Sequence, residues 1–322
     1  MLVPVLLFLI GFALLIKGGD WFVDGSVGLA HRFRLPELLI GATVVSIGTT
    51  LPEVMVSSQA AAEGIAGISY GNAIGSVICN TSLIAALTVA IRPGKVDPKT
   101  FRLPTAFFFL AALSYAVIAW TMGRFDRWIG ICYLCVFVGY MILSTVQMKK
   151  HPELAEEDAE EESAAQPLWK DLLLLVIGAA AIAVGARFLV DNGTLIAAAL
   201  GVPDSVIGLT MVALGTSLPE LITAITSLVK GHGALSLGNV IGANLFNIVL
   251  VSGMAITISP FAVPAEKTIA GLNSSLIVDL PVMLAVMAIL CLPPLRSGKM
   301  RRWQGVLLLC AYAAFTVYQF VS

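Results

Sequence analysis

Sliding the chain over itself by 167 residues superimposes 18–80 on 185–247 without a gap, and 21 of the 63 positions are identical. The matches are not merely the apolar residues that any two greasy segments share. They include Asp24/Asp191, Pro36/Pro203, Gly41/Gly208, Thr49/Thr216, Pro52/Pro219, Glu53/Glu220, Asn72/Asn239 and Asn80/Asn247. Similar hydropathy cannot place proline, glutamate and asparagine at a constant offset, so the chain is one unit used twice. Within each copy sits "GTTLPE" (48–53) or "GTSLPE" (215–220), a helix breaker and a carboxylate inside a long apolar run.

The solvent for that run is lipid. Hydrophobic residues make up 58% of the 322 and charged residues 12%, against about 25% charged in soluble domains. Apolar runs of about 20 residues are long enough to cross a bilayer as helices. Ten are predicted, over 2–29, 36–61, 68–90, 103–121, 128–147, 169–199, 204–229, 234–260, 276–294 and 303–321. No basic residue precedes Lys17 and no small-residue cleavage site follows the first run, so that run is expected to stay as a helix. Fourteen of the 19 Lys and Arg residues fall on the side reached after odd-numbered runs. The positive-inside rule makes that side cytoplasmic and puts both termini outside, as in an inner (plasma) membrane protein. A net charge of −1 offers no basic surface for nucleic acid.

Five runs per copy is an odd number, so the second copy enters the membrane from the opposite side to the first. The expected fold is an all-α integral membrane protein, with ten transmembrane helices in two inverted five-helix repeats. The repeats occupy 1–147 and 169–322, joined by an acidic cytoplasmic linker at 148–168. Inverted repeats are an architecture of secondary transporters, whose sites lie at the midplane where the repeats meet. The linker carries seven acidic residues but lacks the ligand spacing of an EF-hand, and reads as a solvated connection.

Proline has no amide hydrogen, so Pro52 and Pro219 free the carbonyls of Gly48 and Gly215. In hydrocarbon a freed carbonyl must line a polar cavity or find a partner. Broken helices are therefore expected at the midplane, with bare carbonyls around 45–49 and 212–216. Thr49 and Glu53 are four apart and share a helix face, as do Thr216 and Glu220. An intramembrane carboxylate costs about 2.5–3.5 kcal/mol on insertion scales; a single one can be carried protonated and hydrogen-bonded, but two brought together by symmetry suit one divalent cation. Ca²⁺, with six to eight oxygen ligands in flexible geometry, fits better than Mg²⁺ or Zn²⁺.

A second element follows each motif, "GNAIGSVICN" at 71–80 and "GNVIGANLFN" at 238–247. Its glycines serve close helix packing, whereas Ser76, Asn80 and Asn247 are candidates to face the site. Lys17, Asp20, Asp24, Arg187 and Asp191 read as helix-end or packing pairs. Cys132 and Cys135 form a C-x-x-C with no further ligand nearby, and His31, His151 and His232 fall in loops, so neither a zinc site nor a histidine relay is expected.

The doubled motifs resemble the two alpha-repeats of the calcium/cation antiporters, and look most like the prokaryotic sodium/calcium exchanger branch. The resemblance implies that Glu53 and Glu220 hold Ca²⁺ with help from Thr49 and Thr216. It implies that Na⁺ uses the hydroxyls of Thr50 and Ser217 and the carbonyls of Ser46 and Ala213, with Ser76, Asn80 and Asn247 completing the cluster. It also implies that the first and sixth helices slide across the rest. Two positions depart from the family pattern: Ala243, where a serine ligand is common, and Asn247, where an aspartate is common. Asn244 is a candidate to replace the lost hydroxyl.

The expected function is an antiporter exporting Ca²⁺ in exchange for Na⁺ by alternating access, the two ions competing for one midplane site. An H⁺-coupled antiporter on the same scaffold is the alternative, and a cation channel a further one. No Ser–Lys, Ser–His or zinc constellation suggests an enzyme. No cofactor is expected, Ca²⁺ and Na⁺ being cargo, and no obligate protein partner is evident beside the lipid bilayer.

Overall fold

The structure is a computed structural model and describes residues 2–150, 167–200, 215–265, 268–269 and 271–321. Most of the acidic linker, the first part of the predicted 204–229 run and Ala213 lie outside the described residues. The described chain is helical almost throughout: α1 (Leu2–Phe33), α2 (Glu37–Ala62), α3 (Ala66–Ile91), α4 (Pro98–Met122), α5 (Arg127–Lys150), α6 (Leu168–Ala199), α7 (Leu218–Val229), α8 (Gly233–Ile258), α9 (Ser275–Ser297) and α10 (Arg302–Val321). Eight of these are long and apolar enough to cross a membrane.

Turn chemistry sets their ends. Asp97 caps α4, its side chain accepting from the Lys99 amide at 3.0 Å with Pro98 in the first turn, which satisfies an amide that the helix leaves free. After α2 and α7 the chain reverses within a few residues through Gly64 (φ 76°) and Gly231 (φ 94°). Only glycine takes that left-handed backbone without strain, which accounts for this pair in the repeat.

The packing is layered. The central stretches of α8 and α3 are 78% and 72% buried, against 22% and 28% for α1 and α6, so α3 and α8 form the heart and α1 and α6 an outer layer. Those outer helices run antiparallel and nearly in backbone contact. A Cβ on Gly11 would lie 2.8 Å from the Gly185 carbonyl oxygen, and one on Gly18 3.0 Å from that of Gly178. Gly11 and Gly178 are 167 apart, as are Gly18 and Gly185, so the two contacts are related by the repeat. Small residues permit such approach where dispersion alone must hold helices together.

Four helices contain π-helical turns, at Gly41–Val45 in α2, Asn80–Ala85 in α3, Asn247–Val251 in α8 and Ser275–Asp279 at the start of α9. The second and third begin at equivalent asparagines. Such turns recur at functional sites because they re-aim side chains and loosen the carbonyl ladder. At the first, the Ser46 hydroxyl donates to the Gly41 carbonyl at 2.7 Å, and Tyr140 donates to that of Ala42 at 2.9 Å.

Here the structure corrects an expectation: α2 is not broken around 45–49. Pro52 sits inside a continuous helix over Ser46–Ala62, because losing one hydrogen bond does not outweigh packing on both sides of the proline, and the irregularity lies upstream in the π turn. In the second copy α7 starts at Leu218 with Pro219 in its first turn and Thr216 and Ser217 in the turn before it.

Short ribbons tie the helix ends. Arg124–Phe125 pairs antiparallel with Phe261–Ala262, joining the α4–α5 and α8–α9 connections, and Lys95 bridges Lys299 at the opposite end. A polar knot forms at the α7–α8 turn. Lys230 Nζ reaches Asp24 at 2.7 Å and Asp20 at 3.5 Å on α1. His232 Nδ1 lies 2.7 Å from Glu37 Oε1, with His31 Nε2 at 3.9 Å from the same oxygen. Glu37 is buried, and it holds the His232 imidazole above its ordinary range, with partial burial pulling the other way. Lys17 pairs with Asp20 at 3.7 Å and Arg187 with Asp191 at 3.5 Å, so these charges form local pairs along α1 and α6.

Candidate cation site

Glu53 and Glu220 come from the two copies and meet inside the protein. Both are 0% exposed, and each lies within electrostatic reach of the other. Glu53 is presented one turn after Thr49 on α2. Glu220 stands in the first turn of α7, where unpaired backbone amides favour negative charge. All four carboxylate oxygens lack a hydrogen-bond partner among the described residues. A buried ionised carboxylate without a partner is among the costliest arrangements in a protein, so this pair calls for a cation or protons.

Neutral oxygens surround the pair. Thr49 and Thr50 lie beside the Glu220 carboxylate, and Ser217 lies near Cys79, which itself faces both glutamates. Thr49, Thr50, Ser217 and Ser76 are buried. The hydroxyls of Thr50 and Ser217, and Oδ1 and Nδ2 of Asn80 and Asn247, are enclosed without a partner among the described residues. The π turn that opens at Asn80 packs against α7 and α8, and the one that opens at Asn247 packs against α2 and α3. The repeat thus carries each asparagine to the helices of the other half. Among the described residues no group of three or more His, Cys, Asp or Glu comes together; the donors here are two carboxylates among hydroxyl and amide oxygens, which suit hard cations rather than Zn²⁺.

Ser46 is placed differently from its neighbours. Its hydroxyl is committed to Gly41 and, at 3.0 Å, to the Asn239 carbonyl, while its own carbonyl receives the Thr49 hydroxyl at 3.5 Å. Thr216 is half-buried. Asn244 Nδ2 donates to Thr81 Oγ1 at 2.8 Å and to Met287 Sδ at 3.2 Å, while its Oδ1 is enclosed without a partner among the described residues.

Two residues absent from the expected site contact its threonines. The Thr49 hydroxyl donates to Asn239 Oδ1 at 3.1 Å, and the Thr216 hydroxyl to Asn72 Oδ1 at 3.2 Å. These are one hydrogen bond made twice, since 49 and 216, and 72 and 239, are equivalent positions. Asn72 Nδ2 also donates to the Glu53 carbonyl at 3.2 Å and to Ser57 Oγ at 2.9 Å. The signal was their identity in both copies, set between glycines whose packing role concealed it. A small cavity beside the site is lined by Thr49, Pro52 and Pro219 together with Phe22, Ala179 and Ile182 of the outer helices.

The family described as sodium/calcium exchanger protein matches residues 3–146 and 170–321. The putative antiporter CaxA of Alkalimonas amylolytica is 35% identical over all of both chains. The sodium/calcium exchanger MaX1 of Methanosarcina acetivorans is 31% identical over 99% of each. Among solved structures, the sodium-calcium exchanger NCX_Mj soaked with 2.5 mM Na⁺ and 10 mM Sr²⁺ superimposes with a TM-score of 0.82, at 34% identity over 97% of both chains.

Proposed function

We propose that this chain, which belongs to the sodium/calcium exchanger protein family, is an antiporter that exports Ca²⁺ from the cytoplasm in exchange for Na⁺. The single observation that carries the proposal is the pair of enclosed carboxylates, Glu53 and Glu220, whose four oxygens have no partner among the described residues. Two anionic charges are neutralised by one Ca²⁺ or by Na⁺ ions seated among the neighbouring oxygens, and not by both sets together. Competition then couples the fluxes, because rearrangement with the carboxylates unneutralised would bury bare charge.

Thr49, Thr216, Glu53 and Glu220 would hold Ca²⁺. Thr50 and Ser217, the carbonyls of Ser46 and Ala213, and Ser76, Asn80 and Asn247 would serve Na⁺. The chain would cross the membrane ten times as two inverted repeats, with both termini outside and the linker cytoplasmic. The repeat-related glycine contacts of α1 with α6, and the outer position of that pair, support alternating access in which the pair moves across the rest.

The test is ⁴⁵Ca²⁺ uptake into proteoliposomes preloaded with Na⁺, beside vesicles carrying only a pH gradient. Uptake driven by Na⁺ is expected. Uptake driven by the pH gradient alone would reassign the counter-ion to H⁺, and single-channel currents would replace the carrier with a channel.

A further inference from the structure

We infer that Asn72 and Asn239 are positioning residues that set which way the Thr216 and Thr49 hydroxyls point, keeping the threonine lone pairs free for a cation. This rests on the cation-carrier function proposed above. A hydroxyl has one hydrogen and two acceptor lone pairs, and its rotor decides which of them it presents. Thr49 commits its hydrogen to Asn239 Oδ1 at 3.1 Å, the Ser46 carbonyl at 3.5 Å being the weaker acceptor. Thr216 commits its hydrogen to Asn72 Oδ1 at 3.2 Å.

The amide orientation follows from the partners. Asn72 Nδ2 faces the Glu53 carbonyl, which can only accept, so the end turned to Thr216 is the carbonyl. Asn239 Nδ2 is enclosed without a partner among the described residues; its orientation follows from its repeat equivalence to Asn72, with the Ser46 hydroxyl approaching its Oδ1 at 3.4 Å.

The alternative acceptor is close by. Thr49 lies beside the Glu220 carboxylate, and a hydroxyl-to-carboxylate bond is about twice as strong as a neutral one. Released from Asn239, the Thr49 hydrogen turns to the carboxylate. The threonine then blocks the anion it should assist and points a hydrogen, rather than a lone pair, at an arriving cation. Both bonds run between the copies, so each half fixes the hydroxyl of the other.

A double-mutant cycle tests this in the full-length protein, with ⁴⁵Ca²⁺ uptake read as half-saturating Ca²⁺ and maximal rate. Asn239→Leu should raise half-saturating Ca²⁺ by about tenfold, the scale of one good hydrogen bond, and more than it lowers the maximal rate. Thr49→Val should do the same, and the double variant should be no worse than Thr49→Val alone, since without the hydroxyl there is nothing left to orient. Where Asn239→Leu yields no folded protein, Asn239→Ser, too short to reach Thr49, takes its place in the cycle. Losses that multiply, or a fall in maximal rate without a change in half-saturation, overturn the inference while leaving the carrier function standing. Absence of Ca²⁺ uptake by the parent protein overturns the function and the inference with it.

Discussion

Asn72 donates its side-chain amide to the main-chain carbonyl of Glu53 at 3.2 Å, so the turn that presents one carboxylate is held by the helix that follows it. The carboxylate itself has no partner among the described residues. That contrast, a fixed backbone under an unsatisfied anion, is what a binding site for a cation requires: the geometry is set before the ion arrives.

Replacing either glutamate with glutamine should therefore separate function from stability. Glu53→Gln or Glu220→Gln should lower ⁴⁵Ca²⁺ uptake by about 100-fold or more, the scale of about 3 kcal/mol for removing one partner of a buried charge set. In Ca²⁺-free buffer the variants should melt no lower than the parent, because a buried charge has been removed. Added Ca²⁺ should raise the melting temperature of the parent alone. A variant that retains Ca²⁺ flux would remove these residues from the site.

Na⁺ on the same side as Ca²⁺ should raise half-saturating Ca²⁺ and leave the maximal rate unchanged, since both ions need the same two carboxylates. A Na⁺ effect on the maximal rate alone would place the ions at separate sites.

Close packing of α2 on α8 makes a substitution forecast. A Cβ on Gly238 would collide with the backbone of Leu38, whereas one on Gly139 would meet nothing within 4 Å. Gly238→Ala should lose about 1–3 kcal/mol through forced backbone shifts. Gly139→Ala should be neutral or gain up to about 1 kcal/mol from helix propensity. Thermal unfolding in detergent distinguishes them; equal effects would contradict the α2–α8 contact.

The imidazole of His232 is raised by its bond to Glu37, so its contribution to stability is fully present below the ordinary value of 6.5 and fades as pH rises through the raised value. The groups facing it are Glu37 on α2, Asp24 on α1, Lys230 beside it in the turn and, across Glu37, His31. His232→Gln should lower the melting temperature most near pH 6 and progressively less toward alkaline pH. A pH-independent difference would mean the imidazole acts only by shape.

Much of this architecture is legible in the sequence, because hydropathy in lipid is close to a direct read-out of helix limits. The runs predicted at 36–61 and 169–199 are helices at Glu37–Ala62 and Leu168–Ala199. The glutamate pair is legible too, since the offset of 167 that aligns the repeats places it. What escapes is whatever depends on several weak terms at once. Pro52 should break α2 on local grounds, yet packing holds the helix through it. Asn72 and Asn239 look like spacers between glycines until the opposite half supplies a threonine. His31, Glu37 and His232 are separated by up to 201 residues, and only the fold gathers them.

The α7–α8 turn is where the two copies stop being alike. Lys230 and His232 correspond to Glu63 and Ile65 after α2, and neither of those can grip an acidic side chain. A machine made of two identical halves would spend equal time open to each face of the membrane. Among the described residues the contacts of Lys230 and His232 have no counterpart at Glu63 and Ile65, so under the proposed carrier function the resting balance between its two states would be weighted by residues far from the glutamate pair, and could be retuned without touching that pair.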